Sequence, residues 1–127
     1  MEKKVILPLF LEEGKTRKKW LTLNNYRNWH YQVSNNLKRK FKSAIQSELD
    51  FKFSGKIIID YKYYAPDQRK RDLMNVISVI DKFFQDAMVE KGCIEADDVS
   101  IVIEVNSKYM GIDRNNPRLE VIITNLI

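Results

Sequence analysis

The sequence feature that most constrains the fold is a stripe of apolar residues at helical spacing. It follows a segment in which side chains alternate as they do in a strand. From Leu73 the apolar side chains recur at helical spacing as far as Met88, and Gly92 follows as a helix terminator. Before the stripe, from Gly55, residues 57–64 alternate in a pattern that predicts a strand. A helix of this kind has to bury its apolar face against another layer, which favours a domain of helices packed on a sheet.

Periodicity also predicts the elements of the N-terminal half. Alternation over residues 5–9 predicts a first strand, and Pro8 places it at an edge or at a strand end. A basic amphipathic helix is predicted near residues 34–49, with Ser34 or Asn35 as its N-cap.

Shorter segments complete the predicted fold. Residues 20–23 suggest a short strand, and the aromatic, amide-rich patch at 24–31 suggests a loop that enters the helix. Alternation predicts strands at 99–105 and 119–123, joined as a hairpin through the turn residues at 111–117. We therefore expect a single α+β (mixed α/β) domain over residues 1–127, in which two helices cover one face of a mixed sheet of about four to five strands.

Composition excludes several classes of protein. The longest apolar run, Val5–Leu11, contains Pro8 and is far shorter than the roughly 20 residues that cross a bilayer, so no membrane segment is expected. No export signal is recognisable, and Cys93 is the only cysteine, which favours a reducing cytoplasm. One Cys and one His also exclude a structural zinc site with four such ligands.

Charge is distributed very unevenly along the chain. Residues 14–47 contain nine Lys or Arg and no Asp or Glu, whereas the remainder carries 13 basic and 17 acidic residues. This asymmetry predicts a surface for a polyanion such as nucleic acid, although a solvated helix face explains it equally well. The candidate DNA contacts in this stretch are Arg27, His30, Lys38, Arg39 and Lys42.

Two of these assignments have structural alternatives. His30 is a candidate donor to phosphate, but a lone His between aromatic residues is more often structural. The aromatic residues of the basic stretch are able to stack on unpaired bases, but core packing is the commoner role. They are Trp20, Tyr26, Trp29 and Tyr31.

The segment between the predicted strand and the apolar helix contains the strongest candidate site. Arg69, Lys70 and Arg71 precede Asp72, which stands where a helix N-cap is expected. The alternative to capping is that Asp72 binds a divalent metal while the three cations hold a phosphate backbone, an arrangement suited to phosphodiester cleavage.

A second acidic group precedes the strand predicted from Val99. If this strand pairs beside the one that ends near Ala65, Asp97 or Asp98 could converge on Asp72. An ordinary acidic turn after the helix is the alternative.

These residues together resemble a known family. The run at 69–75, followed by Asp86-Ala87-Met88 and then by Gly92 and Asp97-Asp98-Val99, resembles the RusA family of phage and prophage Holliday-junction resolvases. The likeness covers most of the chain and extends to the Asn-rich aromatic patch at 24–36. It implies a homodimeric, Mg²⁺-dependent endonuclease, with Mn²⁺ able to substitute, that nicks four-way DNA junctions in recombination, repair or phage DNA processing. Such a protein is expected in the cytoplasm of a bacterial host.

The resemblance also implies roles for individual residues. Asp72 matches the first aspartate of the family pattern D-x-D-N and Asn75 matches its asparagine, here taken as a DNA contact. The downstream catalytic aspartate matches Asp98, with Asp97 as the adjacent choice of metal ligand.

The chain departs from the family pattern at two positions. Met74 replaces the second aspartate and cannot bind magnesium, and Ser78 stands where the family has a lysine. Asp81, about two turns after Met74, is the candidate replacement as metal ligand. Lys82, about one turn after Ser78, is the candidate catalytic lysine. Because a ligand is missing, a DNA-binding protein of the same fold that no longer cuts is the main alternative, and a module that binds RNA or protein is a third.

Overall fold

The strand at residues Ile57–Ala65 is the centre of the computed structural model, which describes residues 1–126. Every second side chain of this strand, from Ile57 to Ala65, is buried. Other strands pair with it on both sides. In chain order the elements are β1 (Glu2–Leu7), β2 (Phe10–Glu13), β3 (Arg17–Trp20), α1 (Leu23–Asn28), α2 (Tyr31–Ile45), a 3-10 turn (Gln46–Glu48), β4 (Ile57–Ala65), α3 (Leu73–Lys91), β5 (Val102–Ile112) and β6 (Arg118–Asn125).

The main sheet has four strands in the order β1-β6-β4-β5. β4 runs parallel to β5 and antiparallel to β6, so the sheet is mixed as predicted. β2 and β3 form a separate antiparallel hairpin. The predicted α+β class is confirmed, because the helices and the inward side chains of the sheet form one buried cluster.

α3 covers the inward face of β4. Its apolar stripe is buried from Val76 to Met88, and the Tyr61 hydroxyl of β4 donates a hydrogen bond of 2.6 Å to Asp81 of the helix. Phe83 of the same helix contacts the rings of Phe41 on α2 and Tyr26 on α1. Within residues 1–126, no helix combines the length and the apolarity needed to cross a membrane.

The predicted hairpin of the last two strands is wrong. β4 lies between β5 and β6, so the connection at residues 113–117 passes over the end of β4. It covers two strand spacings, about 10 Å, which five residues span easily. The Asp113 amide donates to the Ala65 carbonyl at 2.8 Å and ties the connection to that end. A short loop with turn residues fits both topologies, and in this fold β4 takes the middle and pairs along both edges.

The helices of the basic stretch begin earlier than predicted. α2 starts at Tyr31, and its N-cap is His30, whose Nδ1 accepts the Gln32 amide, rather than Ser34 or Asn35. The patch at 24–31, predicted as a loop, forms most of the short helix α1 and the first residue of α2. Thr22 caps this helix, because its hydroxyl accepts the Asn25 amide at 3.3 Å.

Most strand boundaries differ from the predictions by a few residues, but β5 continues to Ile112, seven residues beyond its predicted end and into the predicted turn. Pro8 directly follows β1, an edge strand, as predicted. The strand expected at 20–23 instead ends at Trp20, where it pairs with Phe10 of a strand that was not predicted. β5 begins at Val102 rather than at residue 99, because residues 98–101 form a turn.

Candidate functional site

Asp72 caps the helix that follows β4. Its backbone is extended, and its carboxylate accepts the Met74 amide at 3.2 Å, which confirms the predicted N-cap. A carboxylate at this position also interacts favourably with the positive end of the helix dipole. The side chain remains exposed, so capping leaves Asp72 accessible from solvent.

The three cations before Asp72 have different surroundings. Arg71 is half-buried and forms an ion pair of 2.7 Å with Asp67, which also accepts the Arg69 amide at 3.0 Å. The hydrogen bond from Arg71 is the largest influence that lowers the pKa of Asp67 to about 2, and the same contact raises the pKa of Arg71. Arg71 therefore holds the loop in shape. In the part of the chain that the structure describes, Arg69 and Lys70 are exposed and form no ion pair.

Asn75 connects the start of α3 to α1. Its side-chain oxygen accepts the Asn24 amide at 3.0 Å. This contact gives Asn75 a structural role that does not require DNA, because it positions α1, the helix that carries Arg27. Asn75, which was predicted to contact DNA, thus uses its side-chain oxygen within the protein.

Two adjoining hollows surround this loop, and we call them together the Asp72 cleft. They have volumes of about 320 Å³ and about 370 Å³ and share Lys70 and Arg71 in their walls. The first extends toward Tyr109 of β5. The second contains Asp72, Met74 and Arg27. The cleft brings together a carboxylate, several cations and an aromatic edge, which is a suitable surface for a phosphate backbone.

Asp97 and Asp98 do not converge on Asp72. The predicted strand does pair beside β4, but in parallel, so its start lies at the other end of the sheet, where the Ile57 amide donates to the Ile101 carbonyl at 2.8 Å. α3 has 19 residues and connects the two ends. At 1.5 Å per residue such a helix is about 28 Å long, which is far beyond the reach of one metal ion.

Asp98 has a structural role where it stands. Its carboxylate accepts hydrogen bonds from the Ser100 amide, at 2.9 Å, and from the Ser100 hydroxyl. These bonds lower the pKa of Asp98, with the hydroxyl contact the larger cause. This geometry fits the alternative of an acidic turn, in which Asp98 shapes the entry into β5.

Asp81 and Lys82 also lie away from Asp72. Asp81 accepts the Tyr61 hydroxyl and two hydrogen bonds from Gln85, at 2.9 and 3.1 Å, so its carboxylate is occupied inside the protein. Burial, followed by the negative charge of Asp81, raises the pKa of Tyr61 well above its usual value. Lys82 is exposed ten residues beyond Asp72, about 15 Å along the helix. Neither residue lines the wall of the Asp72 cleft.

Both of the predicted DNA-binding lysines on α2 are paired with α3. Lys38 forms an ion pair of 2.6 Å with Asp86, and Lys42 one of 2.7 Å with Glu90. These contacts join the two helices, so the lysines are less available for DNA than the sequence indicated. Arg39 is exposed and its guanidinium donates to Asn36 on the same helix.

The aromatic residues of the basic stretch mostly pack inward. Trp20 contacts Phe10 at a ring distance of 4.8 Å, and Tyr26 and Trp29 pack together against the core. Tyr31 is the exception at 66% exposure, and it stacks on His30. Core packing, the alternative to base stacking, therefore accounts for three of the four.

The wall of the Asp72 cleft offers one carboxylate to a magnesium ion. Across residues 1–126, no group of three or more Asp, Glu, His or Cys side chains is close enough to hold a metal ion together. Asp72 is the single acidic side chain of the cleft wall, and Met74 contributes a thioether instead of an oxygen.

Sequence reasoning missed the cleft residues that come from distant parts of the chain. Tyr109 and Tyr63 line its first hollow, with their rings 5.9 Å apart, and Leu23 and Asn24 line its second. The alternation of β4 predicts only that Tyr63 faces inward, and no local signal marks Tyr109.

The chain matches no protein-family model and no curated protein.

Proposed function

We propose that the Asp72 cleft binds the phosphate backbone of branched DNA and that the chain acts as a structure-specific endonuclease of the RusA type. The observation that carries the proposal is the exposed carboxylate of Asp72 in a wall shared with Arg27 and Lys70. Cations on both sides of a carboxylate attract a phosphodiester and hold it beside an acidic group, which is an arrangement that phosphodiester cleavage uses.

Arg69 and Lys70 supply the free charge of the cleft. Both are exposed, and in residues 1–126 neither forms an ion pair, so DNA binding breaks no internal contact. Arg71 contributes less because Asp67 already neutralises it. Each phosphate contact that replaces a counterion makes binding more sensitive to salt.

A homodimer is part of the proposal. A four-way junction presents two equivalent strands, so symmetrical cutting needs two equivalent sites, whereas one chain has one Asp72 cleft. Within one chain Asp72 is the single carboxylate of the cleft wall, because Asp98 and Asp97 lie at the other end of the sheet, so a partner subunit is a source of further oxygen ligands for Mg²⁺ or Mn²⁺.

A DNA-binding protein that does not cut is the second candidate. Met74 favours it, since this residue is 54% exposed in the cleft wall at the position where the family has an aspartate. A thioether is a soft ligand that magnesium does not use. The two candidates share the fold and the cleft and differ in whether the bound strand is broken.

The first experiment tests the cleft as the DNA site. Binding is measured by fluorescence anisotropy on a four-way junction, a linear duplex and a single-stranded RNA over a range of salt concentrations. The Arg69→Gln/Lys70→Gln variant should weaken junction binding and reduce the magnitude of the salt slope by about two. Lys52→Gln/Lys56→Gln removes the same charge at exposed positions near the opposite end of β4 and should have little effect. Equal losses in both variants, or tighter binding to RNA than to the junction, contradict the proposal.

The second experiment separates the two candidates. Nicking of the junction is followed with Mg²⁺ or Mn²⁺ for the natural protein and for Met74→Asp. Because Met74 is exposed and lies in the first turn of α3, aspartate there should fold normally. Nicking by the natural protein supports the endonuclease. Binding without nicking until Met74 is replaced supports the non-cutting protein.

A further inference from the structure

β5 is an edge strand with an exposed apolar side. Among the described residues it pairs with β4 alone, and the pairing is regular from Glu104 to Tyr109. On the side that faces the helices, Val105 is 41% and Tyr109 51% exposed. An unpaired edge of this kind favours the addition of another strand.

The opposite side of β5 carries charges without ion-pair partners. Glu104 and Lys108 lie two residues on either side of Asn106. Neither forms an ion pair within residues 1–126. Lys108 lies beside Lys62 of β4, which is an unfavourable neighbour of like charge.

We propose that two copies of this chain pair through their β5 edges, antiparallel, about a two-fold axis at Asn106. The inference rests on the homodimer of the proposed function and names its interface. Directly opposite residues of an antiparallel pair lie on the same face of the sheet. An axis at Asn106 therefore places Glu104 opposite Lys108 of the partner subunit, and symmetry makes this contact twice.

The charges select this register among its neighbours. Opposite residues of the two β5 strands must lie on the same face of the sheet, so the two-fold axis has to pass between the two copies of a single residue. A shift of the axis by one residue, to position 105 or 107, places Glu104 and Lys108 opposite uncharged side chains. With the axis at Asn106, the exposed Val105 lies diagonally across from Tyr109 of the partner subunit, within reach of its aromatic ring. The result is one continuous eight-stranded sheet, with the helices of both copies on the same side.

Charge reversal tests the interface. Glu104→Lys and Lys108→Glu each convert two attractive pairs into two repulsive ones, so each variant alone should dimerise about tenfold or more weakly in sedimentation equilibrium. An equimolar mixture of the two variants should restore the dimer. In the mixed dimer the lysine introduced at position 104 of one copy faces the glutamate introduced at position 108 of the other, and the natural Lys108 and Glu104 form the second pair. Lys40→Glu, at an exposed position on α2, is the control and should leave dimerisation unchanged.

A cysteine at the axis tests the register. In the proposed dimer, Asn106→Cys brings two thiols opposite each other, with Cα atoms about 4.5–5.5 Å apart, within disulfide range. Mild oxidation should give a covalent dimer. Ser107→Cys is the matched control, because the register places the two copies of residue 107 about 8 Å apart, beyond that range. The natural Cys93 is buried and should not react.

The outcomes separate this interface from the proposed function. A natural dimer that neither charge reversal weakens overturns the β5 interface but keeps the homodimer. A mixture that stays monomeric, or equal crosslinking at 106 and 107, overturns the register. A natural protein that is monomeric at micromolar concentration, with junction DNA present, overturns both the interface and the homodimer, while the anisotropy experiment still tests the cleft.

Discussion

Removal of the Asp72 charge should separate the role of this residue as a helix cap from its proposed role in the DNA-binding cleft. The carboxylate caps α3 through the Met74 amide at 3.2 Å and also lies exposed among the cations of the cleft. Asp72→Asn keeps an oxygen that is able to cap the helix but removes the charge. Asp72→Ala removes both the charge and the cap.

The expected size of each effect follows from the position of Asp72 at an exposed helix N-terminus. Loss of the charge next to the helix dipole costs about 0.3–1 kcal/mol, and loss of the cap costs about 1 kcal/mol more. For a domain of this size, 1 kcal/mol corresponds to roughly 3–5 °C in Tm. A carboxylate about 6 Å from a phosphate in water-like surroundings repels it by about 0.7 kcal/mol, so both variants should bind junction DNA about threefold more tightly.

Thermal unfolding and junction anisotropy measure the two effects separately. Asp72→Asn should lose little stability, bind more tightly and lose any metal-dependent nicking, whereas Asp72→Ala should also lower Tm. Asp50→Asn is the control, because Asp50 is an exposed carboxylate paired with Lys3 outside the cleft. Unchanged DNA affinity and unchanged nicking in Asp72→Asn would refute the assignment of this residue to the site and leave it a helix cap.

Four other residues give further predictions. Tyr61→Phe removes a buried hydrogen bond to a carboxylate and should lower the free energy of unfolding in urea by about 1.5–3 kcal/mol. Asp81→Asn should bind and nick junctions like the natural protein, and loss of nicking with normal binding would make Asp81 a metal ligand after all. The pKa of Asp67 is lowered from 3.8 to about 2, so its ion pair with Arg71 stabilises the fold above pH 4 and is lost as the pH falls toward 2. Asp67→Asn should therefore show less change in stability over that pH range, followed by circular dichroism, and an unaltered acid transition would contradict this. Phe83→Ala should cost about 3–5 kcal/mol in a denaturant titration, because Phe83 is buried between α1 and α2, and a smaller loss would mean that the core closes around the gap.

Local sequence determined the elements on either side of the cleft. The stripe from Leu73, the cap at Asp72 and the terminator Gly92, whose φ of 81° suits glycine, lie where the sequence predicts them. The alternation of β4 also predicted its buried face. Each of these features depends on residues within a few positions of one another, since capping and periodicity act over one or two turns.

Tertiary structure alone decided which of these elements meet. The sequence is compatible with β5 beside β6 and with Asp98 near Asp72, but β4 takes the central place and β5 runs parallel to it. That choice places the two aspartates at opposite ends of α3, and it brings Tyr109 into the cleft. The pairing of strands depends on contacts between residues far apart in the chain, and the same alternating pattern satisfies more than one partner. Local periodicity therefore fixes the face that a strand buries, while only the packed domain fixes its neighbour.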